Sequence, residues 1–459
     1  MTTDFSPNAM MDSFSLDVPG DEFNRRTSSG WLMLAVGSLL VAGLFTILLV
    51  LSRTPYIQEV IPWVDFFHTA LVVHVDLTVL VWFLGYAGMF WTLNTDSRCN
   101  ACGRLGLWLA IAGCCIIVIA PFLGAAEPLM NNYVPVLRDP IFFVGLGMFG
   151  VGIAVTVVRG LLFSLPVGSM ISGAGAVRFG IYTSLIAAAT AIFALLVSWH
   201  GIPATITGEH YYELLFWSSG HTLQFVHIQL MLVSWLCLAG LAGFGSRPGP
   251  RVAMLLFALG TLPVLLTYAV YWRFEVDSGD HLQAITLLMQ YGGGLAALPV
   301  ALVIVHGMLT SESRRIASPE GYALLSSIVL FGVGGVIGFM ISGSNVTVPA
   351  HYHGSIVAVT LAFMGITYHL LPRLGFRKPE GRIVRLQPLI YAVGQLMHVS
   401  GLAWSGGYGV QRKTAGAAQG LDAIEKIAGM GLMGMGGLVA IVGGIIFMVV
   451  VIRAMRPNY

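Results

Sequence analysis

The chain has 459 residues, 56% of them hydrophobic and only 10% charged, with a mean hydropathy of +0.83 and a net charge of +2. Soluble domains carry about 25% charged residues, so a water-facing surface of this size is excluded, while the net charge argues neither for nor against nucleic acid, which is not an expected partner. Apolar runs of about 20 residues, the length that crosses a ~30 Å hydrocarbon core, recur along the whole chain.

Residues 1–30 are polar and read as a cytoplasmic N-terminal segment. The first apolar run is too long for a cleavable leader and is followed by further spans. Hydropathy predicts spans at 31–52, 66–93, 104–125, 140–165, 178–199, 213–243, 252–272, 282–309, 321–342, 346–372, 388–406 and 426–452. Residues 31–456 therefore form an all-α bundle of about twelve transmembrane helices, with no internal repeat and no soluble domain. Cys114, Cys115 and Cys237 lie inside spans, while Cys99 and Cys102 form one CxxC in a short loop. A single CxxC is weak evidence for a metal, and these read as ordinary reduced loop cysteines. Of the 23 Lys and Arg, Arg53, Arg138, Arg273, Arg412, Lys413 and Lys426 fall on the side opposite the N-terminus, and the other 17 share its side. That bias places both termini in the cytoplasm and supports an even span count.

Ionisable residues at membrane depth are costly and mark function by default. Four of the twelve histidines sit early in spans that enter from the outer side: His74, His221, His351 and His353. At 1.5 Å per residue they lie roughly 8–12 Å below the outer boundary. His351 and His353 point about 200° apart on one helix, so they cannot share a metal but can serve two different metals or haems. His74 then suits the second axial position of one haem, and His221 faces the other. His68, His200, His210, His281, His306, His369 and His398 read as hydrogen-bonded structural residues. His227 is left open, because it does not share the face of His221.

These residues lie in stretches that resemble the catalytic subunit of the haem-copper oxidase superfamily, and the resemblance covers nearly the whole chain. LVVHVDLTVLVWF is similar to the span carrying a low-spin haem ligand, here His74. ELLFWSSGHTLQFVH is similar to LFWxxGH, whose histidine binds the active-site copper, here His221. PAHYHGSIVAVTLAFMGITYHLLPRL is similar to the HxH helix, which makes His351 the ligand of a high-spin haem and His353 the second ligand of the low-spin one. GYGVQRKTAG resembles the basic loop at the haem propionates, a task that falls to Arg412 and Lys413. The resemblance implies two haems, b-type by expectation, and one non-haem metal, copper or iron.

The sequence also departs from the oxygen-reducing pattern. Phe225 stands where a crosslinked tyrosine is usual. Leu266, Thr267 and Tyr268 stand where a span-seven His pair supplies two copper ligands, and the carboxylates nearest to it are Glu275, Asp277 and Asp280, beside His281. Gln290 and Tyr291 stand near the expected span-eight lysine. Splitting O₂ takes four electrons, one of them from the tyrosine. Reducing two NO to N₂O takes two electrons and two protons and needs no such tyrosine. With HVDLTVLVWF, GHTLQF and NNYVPVL, the chain looks most like the divergent nitric oxide reductase branches. Glu213 is the acid watched beside His221, because iron accepts mixed His and carboxylate ligands.

Nitric oxide reduction is therefore the expected activity. The alternatives are an unusual oxygen reductase using Tyr268 or Tyr271, a haem-only electron-transfer or sensing subunit, and a secondary transporter, against which the missing repeat counts. No CxxCH haem-attachment motif is present, so a second subunit with a cupredoxin or cytochrome c domain is expected to bring electrons, with a quinol as the other possible donor. The expected location is a bacterial-type inner membrane.

Overall fold

The computed structural model describes residues 14–456 apart from 19, 55, 57–63, 126, 169–170, 245–247, 313 and 415. Of the charges used for orientation, Arg247 lies outside the described residues. The elements in order are α1 (Glu22–Arg53), α2 (Val64–Val75), a π-helical turn (Asp76–Val81), α3 (Trp82–Leu93), α4 (Asn100–Ile119), the strands β1 (Pro128–Leu129) and β2 (Val136–Leu137), α5 (Pro140–Phe163), α6 (Gly173–Gly201), α7 (Gly208–Leu241), α8 (Pro250–Arg273), α9 (Gly279–Gly292), α10 (Gly294–Thr310), α11 (Pro319–Phe339), α12 (Thr347–Arg373), α13 (Arg382–Gly407) and α14 (Ile424–Met455).

Eleven of these rods, among the described residues, are long and apolar enough to cross a membrane. The second is α2 continued through the π turn into α3, and the eighth joins α9 to α10 across Gly293. α13 is the twelfth rod of comparable length; Gln387, Gln395 and His398 make it more polar. α1 already begins at Glu22, inside the polar leader, because Asp21 caps it by accepting from the amides of Phe23 and Asn24.

With lipid on the outside there is little hydrophobic drive between helices, so close packing has to hold them together. Glycine supplies that closeness. A Cβ at Gly394 would strike the backbone of Ala440, and one at Gly436 would strike the backbone of His398, so α13 and α14 meet backbone to backbone. Gly113 and Gly145 do the same between α4 and α5, as do Gly334 and Gly354 between α11 and α12. α7 and α12 form the centre: 83% of the apolar window of each is buried, against 33% for α11.

On the N-terminal side, Phe14 and Leu16 are buried, Asp17 pairs with Arg178 at 2.8 Å, and Arg373 donates to the Leu16 carbonyl. Cys99 and Cys102 are joined as a disulfide, which differs from the reduced thiols expected of an isolated CxxC. On the opposite side, β1 and β2 form a short antiparallel ribbon, pairing Leu129 with Val136. The ribbon holds the loop 130–135 against the start of α7, where Tyr133 packs over Gly220.

Candidate functional site

The candidate site is organised by α12. As the helical geometry requires, its two histidines leave on opposite faces. His351 Nδ1 lies 2.7 Å from the Gly334 carbonyl of α11, against Gly338, where a Cβ would overlap the ring. His353 turns toward α13, with ring centroids 4.9 Å from His398.

The hydrogen bonds fix the tautomers. His74 Nδ1 lies 3.2 Å from the Ala42 carbonyl and 3.1 Å from the Thr46 hydroxyl, whose own proton goes to Ala42. His221 Nδ1 lies 2.8 Å from the Trp217 carbonyl, and His398 Nδ1 lies 3.0 Å from that of Met433. A carbonyl only accepts, so in each ring Nδ1 carries the proton and Nε2 keeps the lone pair. An imidazole held this way is oriented for ligation, and its basicity is raised by the bond behind it. His74, His221, His351 and His398 share the pattern.

Around His353 the structure gathers a polar pocket in apolar surroundings. His74 and His398 face it, and Arg53, the last residue of α1, lies in electrostatic reach of Tyr352, His353 and His398. The Nε and Nη2 of Arg53 are buried with no hydrogen-bond partner among the described residues. An unpaired buried guanidinium costs several kcal/mol, so the pocket is built for an anion. A haem carries two carboxylates and needs axial imidazoles, and these residues fit it. Arg412 also acts on Tyr352, with its Nε 3.1 Å from the Ser344 hydroxyl. Lys413, expected beside a propionate, instead donates to the Met130 carbonyl at 3.2 Å, while its own carbonyl meets His68. Burial, then the neighbouring Arg412, pulls its ammonium below the ordinary lysine range. Two residues after His74, Asp76 opens the π turn with both carboxyl oxygens buried and without a partner among the described residues; π segments often sit at functional positions.

The other face of the bundle is different. His221 is buried, and its Nε2 lies 2.8 Å from the hydroxyl of Tyr133. Glu213, expected near the second metal, instead holds the same loop: its carboxylate accepts from the Asn132 amide at 2.9 Å and from the Asn132 side chain. Phe225 is buried beside Gly292, which packs on Pro263 of α8. Leu266 is exposed, and the Thr267 hydroxyl lies 3.5 Å from the Pro263 carbonyl of its own helix. Tyr268 points its hydroxyl to Thr190 of α6 at 3.1 Å, and Tyr271 bonds Ser198 at 2.7 Å, so neither tyrosine is brought to His221. Glu275, Asp277 and Asp280 are exposed. His281 is buried and bonds Ser218 at 2.8 Å, and His227, whose Nδ1 has no partner among the described residues, meets the Phe83 ring at a tilt with centroids 4.7 Å apart. Gln290 and Tyr291 are exposed on the rod that was expected to carry a lysine.

Among the described residues, no three His, Cys, Asp or Glu side chains converge on a metal-sized point. The donors near His221 therefore do not fit a copper or non-haem iron, which take three or more strong ligands. Sequence reasoning missed Tyr133, Arg53, Asp76 and the role of His398. Tyr133 lay in a quoted motif, and Arg53 was counted only for orientation. An arginine at a span end gives no sign of having lost its partner until the helices are assembled.

A helical membrane bundle with one central helix offering imidazoles to two pockets defines a haem-binding membrane oxidoreductase subunit. The chain belongs to the family described as cytochrome c and quinol oxidase polypeptide I, whose model matches residues 27–452. It is 28% identical to the uncharacterized protein RP382 of Rickettsia prowazekii (strain Madrid E), over 92% of this chain and 95% of that one. It is 26% identical to an uncharacterized protein of Aquifex aeolicus (strain VF5), over 78% and 88% respectively. Its fold is similar to that of a heme-copper terminal oxidase dimer, with a TM-score of 0.71, 16% identity, and coverage of 96% of this chain and 85% of that one.

Proposed function

We propose that the chain is the catalytic subunit of a respiratory complex in a bacterial-type inner membrane and that it reduces nitric oxide to nitrous oxide. Two b-type haems would be held, one by His74 and His353 and the other by His351, and would supply electron entry and redox chemistry toward a diatomic gas. The chain's own residues do the rest. α12 fixes the spacing of the two sites, because His351 and His353 share one rigid helix. Arg53 supplies the buried cation for a propionate, with Arg412 near Tyr352 at the same pocket. His221 and Tyr133 form the polar wall near the second site. A partner subunit with a cupredoxin or cytochrome c domain, or a membrane quinol, would deliver the electrons.

The observation that carries the choice of substrate is the wall facing His221. Phe225 presents an apolar ring packed near Pro263 and Gly292, and Tyr268 turns to Thr190. A site with Phe225 in place of the usual α7 tyrosine, and with no ligand pair on α8, suits the two-electron coupling of two NO better than the four-electron splitting of O₂. One observation favours oxygen instead: the Tyr133 phenol stands 2.8 Å from His221 and places a tyrosine at the site from outside α7.

The test is anaerobic NO consumption by the purified protein with an artificial electron donor, followed by N₂O release. One N₂O per two NO consumed supports nitric oxide reduction. Rapid O₂ consumption with NO untouched moves the assignment to oxygen.

A further inference from the structure

Resting on the two-haem reading above, we infer that the position of the family's second metal is filled by a Tyr133–His221 hydrogen-bonded pair, which forms the metal-free polar wall of the gas pocket. Four observations converge on it. His221 Nδ1 is committed to the Trp217 carbonyl at 2.8 Å, so Nε2 is the only lone pair the ring can offer a metal. That lone pair is taken by the Tyr133 hydroxyl at 2.8 Å.

The phenol is also held there by construction. Gly220 has no side chain, and any Cβ at that position would overlap the Tyr133 ring. The loop that carries the ring is fastened from two sides, by Glu213 on the Asn132 amide and by Lys413 on the Met130 carbonyl. The Asn131 side chain accepts from the amides of Tyr133 and Val134 and closes the turn itself. Finally, the side chains that would have to complete a metal site do not gather: no cluster of three candidate ligands occurs among the described residues. A metal at His221 would have to expel the phenol and then find its remaining ligands in solvent, which the donor chemistry disfavours.

The pair therefore acts as a neutral, polar contact for a bound gas. It also ties the outer loop to α7, so loop order and pocket polarity are one property. Tyr133 and His221 are positioning residues in this account, and the test must read the pocket directly.

The experiment uses the purified, haem-loaded full chain, its Y133F variant and, as a second probe of the same pocket, H221Q. Metal analysis is combined with infrared spectroscopy of the carbon monoxide adduct. The expected result is iron matching the haem content with no stoichiometric copper or non-haem iron. After photolysis at low temperature, no copper–carbon monoxide band is expected. Y133F should shift the C–O stretch of the adduct and leave the spectrum of the other haem unchanged. Stoichiometric copper or extra iron that disappears in H221Q would overturn the proposal. A carbon monoxide adduct indifferent to both substitutions would also overturn it while leaving the two-haem reading intact. Absence of any carbon monoxide-binding haem in the unmodified protein would remove the reading itself and the proposal with it.

Discussion

The surroundings of His353 and of His221 differ in what they lack. The His353 face has more polar groups than protein partners for them: a third imidazole at His398 and a guanidinium with two buried, unpaired nitrogens. The imidazole of His221 on α7 has the opposite balance, since it is satisfied at both nitrogens by Trp217 and Tyr133. Buried polar groups are normally satisfied. A pocket with groups left over is therefore waiting for a ligand that carries the complementary charge, while a pocket that satisfies itself has been closed over by the chain. On the proposal above, the surroundings of His353 keep the polar groups of a haem site, while at His221 a phenol stands where a metal would bind.

The sharpest way to break this comparison is to remove the α12 histidines one at a time. H353A is expected to cut the haem content of the purified chain by about half and to abolish the bis-histidine spectrum. H351A should remove the gas-binding haem instead, as read by loss of the carbon monoxide difference spectrum. Equal loss of both haems from either variant would mean that the faces are not independent.

A smaller effect is expected at Arg53. Replacing the buried cation with a neutral side chain, as in R53Q, favours the ferric haem and should lower the low-spin midpoint potential by about 60 mV, a tenfold shift for a one-electron couple. Redox titration with an unchanged midpoint would take Arg53 out of the haem pocket.

Glu213 comes next. E213Q loses a charge-assisted bond to the Asn132 amide, worth roughly 1.5–3 kcal/mol. The loop 130–134 should exchange its amide hydrogens faster, with haem content preserved; unchanged exchange would separate Glu213 from the loop. The smallest effect is expected at Tyr268. Its hydroxyl bonds Thr190 on α6, away from His221, so Y268F should change NO turnover less than about twofold, whereas a much larger loss would bring α8 back into the chemistry.

Much of the bundle was legible because lipid imposes a coarse rule: about 20 apolar residues per crossing. The His351–His353 spacing likewise determined opposite faces, since helical periodicity alone decides it. What stayed hidden depends on contacts between distant segments. Tyr133 meets His221 across 88 positions of sequence. Lys413 reaches Met130 across 283, so its hold on the outer loop cannot be read from its neighbours in sequence. The start of α1 was placed late because the first turns of a capped helix are polar, and hydropathy does not see a cap such as Asp21.

The most direct measurement is low-temperature electron paramagnetic resonance of the oxidised, purified chain beside its H351A and H353A variants. The account predicts two separable ferric signals in the unmodified protein, one low-spin with two histidine ligands and one high-spin with a single histidine. H353A should erase the first and H351A the second. A single signal that both substitutions erase together would contradict the claim that one helix holds two different haems.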